Sequence, residues 1–403
     1  MAKLYLISIS GENRTGITSK LTSHLSHHHA HLLDIGQAVI HDALSLGVLA
    51  ALPDDVDIET LFSSLKAEFS HGEMMVRWQS ISERDYEHWV AKQGQQKHVV
   101  TLLGREISAD ALSKVTTELA RNKLDIYHIT RLTGRIGLDQ LGQSSQTCIE
   151  VLLRGAVDYP LKFRSDLLAL ASDLDIDLAY QQDGIYRRNR RMVVFDMDST
   201  LIRQEVIDEL AEEAGVGREV KAITESAMQG EIDFNESLQR RVALLDGLSE
   251  KALQRVMERI QLNEGAERLF RSLKRLGLKT AILSGGFTYF GERLQTQLGI
   301  DYLHANRLEI VDGKLTGKVI GEIINGDAKA RLLRELADSN NLLPDQVIAV
   351  GDGANDLPML RAAGLGVAFH AKPIVRESAD QALSTLGLDA LLYLLGLSDA
   401  DAR

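Results

Sequence analysis

The second half of this 403-residue chain contains four short, continuous apolar runs, and polar residues follow directly after each of them. The runs occupy residues 192–195, 280–283, 347–350 and 366–369. Continuous apolar runs of this length are typical of parallel strands that are buried on both faces. Helical patterns lie between the runs, at residues 264–276, 328–336 and 357–362. The alternation predicts a doubly wound α/β domain, whose site lies at the carboxyl ends of the strands.

The first half repeats one pattern of strands and helices with little identity between the copies. The first copy has predicted strands at residues 4–8, 32–41, 43–52 and 74–81, and helices at 15–26 and 58–69. The second has strands at residues 99–103, 124–132, 147–153 and 177–181, and helices at 109–122 and 163–172. This order is that of a ferredoxin-like α+β unit. We therefore predict α+β domains at 1–85 and 95–184, followed by the α/β domain at 186–397.

Two polar stretches mark the predicted boundaries between these domains. Apolar periodicity stops over residues 82–96, and a polar turn at 181–184 leads into a run of arginines. These arginines are Arg187, Arg188, Arg190 and Arg191. Such a run is either an anion-binding patch or a solvated linker before the next strand.

Composition excludes several classes of protein. The chain has 45 basic and 57 acidic residues and a formal net charge of −12, which argues against a nucleic-acid partner. Its single cysteine, Cys148, excludes a disulfide framework and suits a reducing compartment. No apolar run approaches the roughly 20 residues of a membrane helix, and polar residues interrupt the first 16 positions where a signal peptide would be apolar. We expect a cytoplasmic protein without a membrane partner.

Polar side chains at three predicted strand ends point to a chemical site. They are Asp196 and Asp198 after the first run, Ser284, Gly285 and Gly286 after the second, and Asp352 and Asp356 after the third. Converging carboxylates repel one another unless a cation lies between them, and Mg²⁺ prefers oxygen ligands of this kind. Lys329, near the start of a helix, adds a cation for an anionic substrate. Each feature alone also fits a turn or a helix cap, but together they predict phosphoryl transfer.

The same residues resemble the motifs of a known superfamily. Asp196-x-Asp198-x-Thr200, Ser284-Gly285-Gly286, Lys329 and Gly351-Asp352-Gly353-x-Asn355-Asp356 are similar to the four motifs of the haloacid dehalogenase superfamily. Residues 204–265, which are helical, resemble that superfamily's small cap. Within the superfamily the chain is most similar to the phosphoserine phosphatase family, through Glu205, Met228, Phe234 and Arg241.

The resemblance implies magnesium-dependent hydrolysis of O-phospho-L-serine, the final step of serine biosynthesis. It implies that Asp196 is the nucleophile and forms an aspartyl-phosphate, while Asp198 acts as general acid and then general base. Mg²⁺ would be held by Asp196, by the backbone carbonyl of Asp198 and by Asp352, with Thr200 and Asp356 in support. Phosphate would be held by Ser284, Gly285, Gly286, Lys329 and Asn355.

Specificity would come from the cap. The resemblance implies that Glu205 accepts the substrate's ammonium group and that Arg241 holds its carboxylate. Met228 and Phe234 would form an apolar lid that excludes water. Helical spacing alone gives a different interpretation. In it, Met228 and Phe234 are ordinary packing residues, and Glu205 and Arg241 belong to a solvated helix face.

The two α+β units resemble ACT domains, which bind amino acids and regulate the enzymes that carry them. The first unit carries the glycine-rich turn Gly11-Glu12-Asn13-Arg14-Thr15-Gly16, and the second has a weaker match at Gly104. The resemblance implies L-serine or another amino acid at Gly11, Asn13, Gly16 or Gly104, and pairing of such units into a homodimer. Plain strand-to-helix turns without a ligand remain the alternative. A phosphotransferase, a phosphatase of another small ester, and an amino-acid sensor with a phosphatase-like scaffold also remain open.

Overall fold

The computed structural model describes residues 3–70, 74–140 and 146–402. The chain forms two compact units, residues 1–95 and 96–403. Within the described ranges, no helix combines the length and the apolar character that crossing a membrane requires.

The first unit is a four-stranded antiparallel sheet with helices against one face. Its elements are β1 (Lys3–Glu12), α1 (Ile17–His27), β2 (His31–Ile40), β3 (Ala43–Leu52), α2 (Ile58–Glu68), β4 (Met75–Ile81) and α3 (Glu83–Ala91). The strand order is β2-β3-β1-β4, which leaves β2 at one edge. All ten residues of β2 are exposed, whereas alternate residues of β3 are buried beneath the helices. The α3 helix lies in the polar stretch, residues 82–96, that the sequence predicted as a boundary between domains.

The second unit begins with a copy of the same architecture. Its elements are β5 (Lys97–Gly104), α4 (Ala109–Arg121), β6 (Asp125–Arg131), β7 (Thr147–Arg154), α5 (Pro160–Leu174) and β8 (Asp177–Gln182). The order β6-β7-β5-β8 matches that of the first sheet position by position. The repeat predicted from the pattern of strands and helices is therefore present in the structure.

The rest of the second unit is an α/β domain. Its strands are β9 (Met192–Phe195), β10 (Lys279–Phe287), β11 (Tyr302–Val311), β12 (Lys314–Ile320), β13 (Val347–Gly351), β14 (Leu365–Phe369) and β15 (Gln381–Leu383). Its helices beside the sheet are α10 (Ala266–Arg275), α11 (Thr288–Leu298), α12 (Gly326–Ser339), α13 (Leu357–Ala362), α14 (Pro373–Ser378) and α15 (Leu391–Leu394).

The sheet order is β12-β11-β10-β9-β13-β14-β15, with β12 alone antiparallel to its neighbour. Alternate residues of β9 enter different cores, since Met192 packs in one and Val193 in the other. Burial of β9 on both faces explains why its sequence is continuously apolar. The predicted doubly wound fold is confirmed. The chain order reverses on either side of β9, which puts the expected crevice at the ends of β9, β10 and β13.

Four helices form a cap over these strand ends, between β9 and α10 along the chain. They are α6 (Val206–Ala214), α7 (Gly217–Met228), α8 (Phe234–Ala243) and α9 (Glu250–Arg259). The chain leaves for the cap and returns from it along adjacent segments. Ile202 and Leu262 form an antiparallel bridge, and the Arg203 amide donates to the Gln261 carbonyl over 2.9 Å. The cap is therefore joined to the core by a two-stranded ribbon.

The second ferredoxin-like sheet packs directly on the edge of the α/β sheet. The Gln381 side-chain amide donates to the Tyr180 carbonyl over 2.6 Å and accepts from the Tyr180 amide over 2.9 Å. The Asp177 carboxylate accepts hydrogen bonds from the amides of Ser384 and Thr385, each over 2.9 Å. These contacts attach β8 to the segment around β15 without a continuous strand pairing.

The arginine run between these two parts is structural. Arg187 is 3% exposed and forms an ion pair with Glu150, and Arg190 donates to the Asp345 carbonyl. Arg188 remains on the surface, with 67% of its side chain exposed. Both sequence interpretations, an anion patch and a solvated linker, are therefore wrong for Arg187 and Arg190. An arginine that is buried against a carboxylate or carbonyl fastens two segments together.

Candidate active site

The acidic residues predicted at the strand ends converge in the structure. Asp196 directly follows β9, and Asp352 and Asp356 follow β13, its parallel neighbour. Carboxylate oxygens from these three residues all lie within 4.8 Å of one another. Parallel strands end at one edge of the sheet, so two separate sequence motifs supply one cluster.

Lys329 bridges two of these three carboxylates. It comes from the first turn of α12, and its ammonium nitrogen is 2.8 Å from Asp196 Oδ1 and 2.7 Å from Asp356 Oδ1. The lysine and Asp356 are fully buried. Burial alone would lower the pKa of Lys329, but the two carboxylates outweigh it and raise that pKa, so the lysine stays charged.

The cluster carries more negative charge than one lysine neutralises. Burial, followed by the charge of Asp356, raises the pKa of Asp196 to about 7. Burial, followed by the charges of Asp196 and Asp356, raises the pKa of Asp352 to about 8. A divalent cation bound to these oxygens would relieve the repulsion, and hard cations prefer such ligands. The donor set therefore fits a divalent metal.

Asp198 has a different environment from these three residues. Burial raises its pKa well above the usual value, and the charges of Glu205 and Asp196 raise it further. Its Oδ1 atom is buried without a hydrogen-bond partner. A carboxyl group whose pKa is raised and which has one oxygen without a partner is suited to proton transfer. Its side chain is not among the clustered metal-binding oxygens.

The carboxyl end of β10, which includes Ser284, Gly285 and Gly286, lies beside the carboxylates. Ser284 is fully buried, and its hydroxyl accepts a hydrogen bond from the Gly286 amide over 2.9 Å. A Cβ atom at Gly286 would lie 2.5 Å from Asp198 Oδ2, so only glycine allows this end of β10 to approach the acid this closely. Asn355 follows β13 in the same turn as Asp356.

A phosphoserine phosphatase from Streptomyces coelicolor is 40% identical to this chain over 402 residues, which cover 98% of this chain and 92% of that protein. The chain belongs to the phosphoserine phosphatase family. The phosphoserine phosphatase of Mycobacterium tuberculosis is also 40% identical, over 98% of this chain and 93% of its own length. Members of this family are phosphoric monoester hydrolases, so the predicted enzyme class is confirmed.

Family models and a solved structure agree with this membership. Residues 191–364 match the haloacid dehalogenase-like hydrolase model, and residues 3–79 match an ACT domain model. The structure of a probable phosphoserine phosphatase from Vibrio cholerae is 36% identical, with a TM-score of 0.60 over 77% of this chain and 89% of that chain. The predicted superfamily and the first ACT-like domain are therefore confirmed.

The cap of this phosphoserine phosphatase family member brings one acid and one arginine towards Asp198. Glu205 is the residue before α6, and its charge raises the pKa of both Asp198 and Asp352. Arg241, on α8, is partly buried. Burial lowers the pKa of Arg241, while the charges of Asp208 and Glu205 raise it. An anionic and a cationic side chain thus lie above the carboxylate cluster.

The two apolar cap residues lie in different settings. Phe234 is partly buried, and its ring lies so close to Gly285 that a Cβ atom there would be 2.8 Å from it. Met228, at the end of α7, is 64% exposed, and its sulfur lies 3.7 Å from the Lys372 ammonium nitrogen. Phe234 therefore covers Gly285 at the carboxyl end of β10 in this structure, whereas Met228 faces solvent.

Sequence reasoning missed two asparagines that hold the catalytic loops. Asn306, on β11, is 1% exposed, and its side-chain amide donates to the Gly285 carbonyl over 2.8 Å. Asn263, on the segment returning from the cap, donates to the Thr200 carbonyl over 2.8 Å and to the Ser199 carbonyl over 3.3 Å. Both partners are distant in sequence, so no local pattern signals these contacts.

The glycine turns of the two small domains differ. In the first, Gly16 has a φ of 94° with open space around it, and the pocket beside it has a volume of about 320 Å³. This pocket includes Asn13, whose backbone N–H donates to the Asp42 carbonyl over 2.7 Å. Gly11 lies within β1, next to this turn. The first turn therefore has room for a small ligand.

In the second small domain the equivalent turn is closed. A Cβ atom at Gly104 would lie 3.0 Å from the Ile176 side chain. The next residue, Arg105, forms two hydrogen bonds of 2.9 and 2.5 Å with the carboxylate of Glu264, which follows Asn263 at the base of the cap. This turn contacts the α/β domain.

Proposed function

We propose that this enzyme hydrolyses O-phospho-L-serine to L-serine and phosphate through an aspartyl-phosphate, as the final step of serine biosynthesis. The observation that carries the proposal is the placement of Asp196. It lies at the end of a central strand, 2.8 Å from a buried lysine, beneath a cap that presents Glu205 and Arg241. A carboxylate is a competent nucleophile when neighbouring cations neutralise the phosphoryl oxygens.

We assign Mg²⁺ as the metal, held by Asp196, Asp352 and the backbone carbonyl of Asp198, with Asp356 orienting Lys329. Three clustered carboxylates, two of them buried and one partly buried, suit a hard cation that keeps several waters and binds phosphate. When bound, Mg²⁺ would neutralise charge on the phosphoryl group. Thr200 donates to Asp352 Oδ1 over 3.0 Å and so fixes one of these carboxylates.

In the first chemical step Asp196 attacks phosphorus, and the bond from phosphorus to the seryl oxygen breaks. Asp196 Oδ1 already accepts from Lys329 and from the Met197 amide, at 2.7 Å for the latter, so we assign the attack to Oδ2. Asp198 donates its proton to the departing seryl oxygen. Its raised pKa supports this role, because a carboxyl must hold a proton to act as general acid.

In the second step water attacks the aspartyl-phosphate, and Asp198, now ionised, accepts a proton from that water. The bond from phosphorus to Asp196 breaks, which releases phosphate and restores the carboxylate. Ser284, Gly285, Gly286, Asn355 and Lys329 hold the phosphoryl oxygens in both steps. Before the attack, the carboxylates of Asp196 and Asp356 keep Lys329 charged. In the intermediate, Asp356 and the bound phosphoryl group supply the negative charge beside it.

The cap selects the rest of the substrate. Phosphoserine presents an ammonium and a carboxylate beyond its phosphate, and Glu205 and Arg241 supply the opposite charges. Phe234 already lies over Gly285 at the carboxyl end of β10, and we propose that Met228 joins it when the cap closes on substrate. Closure would exclude water from the aspartyl-phosphate until the seryl product leaves.

The first test is phosphate release from O-phospho-L-serine and O-phospho-L-threonine, with Mg²⁺ and with chelator. We expect metal-dependent release and a preference for phosphoserine of about tenfold or more, since one additional methyl group in a closed pocket has an effect of this size. Added Mg²⁺ should restore the chelated enzyme. Turnover in chelator would contradict the metal assignment, and equal rates would contradict the cap assignment and favour another phosphate ester.

We propose further that the first ACT domain binds L-serine at the open turn of Gly11, Asn13 and Gly16, and that the chain is a homodimer. The dimer proposal is supported by β2, an edge strand whose residues are all exposed. Its exposed apolar residues include Leu32, Ile35 and Ile40, at 48, 47 and 77%. Such a strand pairs readily with a second copy of itself.

Sedimentation of the full chain tests the dimer. We expect a dimer at micromolar concentration, and Ile35→Lys should shift it towards monomer because a lysine on an edge strand opposes pairing. Leu161→Lys, at a residue that is 85% exposed on α5, is the matched control and should leave the dimer intact. Calorimetry tests whether L-serine binds the first ACT domain. The titration uses the Arg241→Ala variant, in which product binding at the active site is weakened. If no heat of binding is observed, the proposal of an L-serine ligand is wrong.

A further inference from the structure

Ser199 follows Asp198 in the nucleophile loop and has an unusual backbone conformation. Its φ is 55°, in the left-handed region that serine seldom adopts. Residues held there by their surroundings often serve a site. Two hydrogen bonds hold this one: the Ser199 amide donates to the Gln204 carbonyl over 3.3 Å, and its carbonyl accepts from Asn263 over 3.3 Å.

This conformation aims the Ser199 side chain at the cap. Its hydroxyl donates to Glu205 Oε1 over 2.7 Å, a bond from the nucleophile loop to the first residue of the cap. Glu205 directly precedes α6 but does not cap that helix with its side chain. The carboxylate is therefore turned away from the nearest backbone amides and towards Ser199. One carboxylate oxygen is fixed by the serine, and the other remains for a cationic group.

We propose that Ser199 is a positioning residue that fixes the Glu205 carboxylate for the substrate's ammonium group and so sets the preference for amino-bearing phosphate esters. This inference rests on the proposed recognition of that ammonium by Glu205. A glutamate side chain has three rotatable bonds, and a charge-assisted hydrogen bond restricts it before substrate arrives. Such preorganisation favours substrates that use the carboxylate and gives no advantage to those that do not.

The test compares three phosphate esters. O-phospho-L-serine has both the ammonium and the carboxylate, O-phosphoethanolamine has only the ammonium, and 3-(phosphonooxy)propanoate has only the carboxylate. We expect Ser199→Gly to lower the ratio of kcat/KM for phosphoserine to that for 3-(phosphonooxy)propanoate by about tenfold, the scale of one hydrogen bond to a charged group. Phosphoethanolamine should lose efficiency in parallel with phosphoserine. Because a general loss of activity affects both substrates equally, it cancels in this ratio.

Glycine is the appropriate replacement because it adopts a positive φ without strain, so the side chain is lost while the backbone conformation is kept. Ser199→Asn should recover most of the ratio, since asparagine tolerates this conformation and can donate to Glu205. The matched control is Asn341→Gly, which changes another residue with a φ of 55° far along the chain and should keep the wild-type ratio. Arg241→Ala should produce the opposite selectivity, with the loss confined to the two esters that carry a carboxylate.

The outcomes separate this inference from the proposed function. If the wild-type enzyme prefers phosphoserine over 3-(phosphonooxy)propanoate and Ser199→Gly keeps that ratio, Ser199 has only a structural role. This inference is then wrong, while the proposed function still stands. If all three esters slow equally, the result is the same. If the wild-type enzyme shows no preference, the role of Glu205 fails and the inference fails with it.

Discussion

Asp196→Asn should reduce turnover of phosphoserine by about 10⁴-fold or more, while the protein stays folded. The change removes the attacking oxygen's charge, and losing a covalent nucleophile commonly has an effect of this size. Asparagine has the same shape and keeps a carbonyl oxygen to accept from Lys329 and the Met197 amide, which are 2.8 and 2.7 Å from Asp196 Oδ1. Steady-state phosphate release measures the loss, and thermal unfolding checks the fold.

Trapping distinguishes a lost nucleophile from a damaged site. Acid-quenched wild-type enzyme should carry phosphate on the peptide that contains Asp196, and the asparagine variant should carry none. The variant should still bind phosphoserine, since Glu205, Arg241 and the carboxyl end of β10 are unchanged. Phosphate trapped on another residue, or an Asp196→Asn variant with activity within tenfold of wild type, would contradict the covalent mechanism.

Lys329→Met should lower both turnover and stability. The lysine is fully buried between Asp196 and Asp356, so its removal leaves two buried carboxylates without their cation. Breaking a buried pair in this way lowers the free energy of unfolding by about 3–5 kcal/mol. Loss of a cation at the phosphoryl oxygens should reduce kcat by about 10²- to 10³-fold. Denaturant unfolding in chelator and phosphate release with Mg²⁺ measure the two effects separately.

Two further variants test this explanation. Lys279→Met removes a lysine whose ion pair with Asp301 is 3.0 Å long but half exposed, and it should change stability and activity little. Adding Asp356→Asn to Lys329→Met removes one of the unpaired charges and should recover part of the stability without recovering turnover. A double variant that is less stable than Lys329→Met would contradict the account of the buried charges.

The sequence predicted the cluster of carboxylates because its signals are local. Each acidic pair directly follows an apolar run, and parallel strands bring such ends to one edge of a sheet. The sequence alone therefore predicted that Asp196 and Asp352 lie close together. Strand β9 has the predicted bounds, and α13 does as well. The repeat of the ferredoxin-like unit also followed from the order of its strands and helices.

The misses have a different physical origin. Asn263 and Asn306 act through hydrogen bonds to distant carbonyls, and Arg187 pairs with Glu150 from another sheet, so each depends on tertiary contacts. Helix α3 is different, because a local signal was present. Ser82 caps it by accepting from the Asp85 amide over 3.1 Å, and acidic residues fill its first turn. The low apolar content of that stretch argued against a helix, although its capping serine and acidic first turn are a local signal for one.

The two-stranded ribbon at the base of the cap has a consequence for how such enzymes diversify. Because Ile202 and Leu262 are paired, the ends of the intervening segment lie side by side, and that geometry tolerates replacement of everything between them. Asn263 holds the nucleophile loop from the core side of this junction, so exchanging the four helices would leave the chemistry intact. One catalytic core can therefore acquire new substrates by grafting a different module at a single point of attachment.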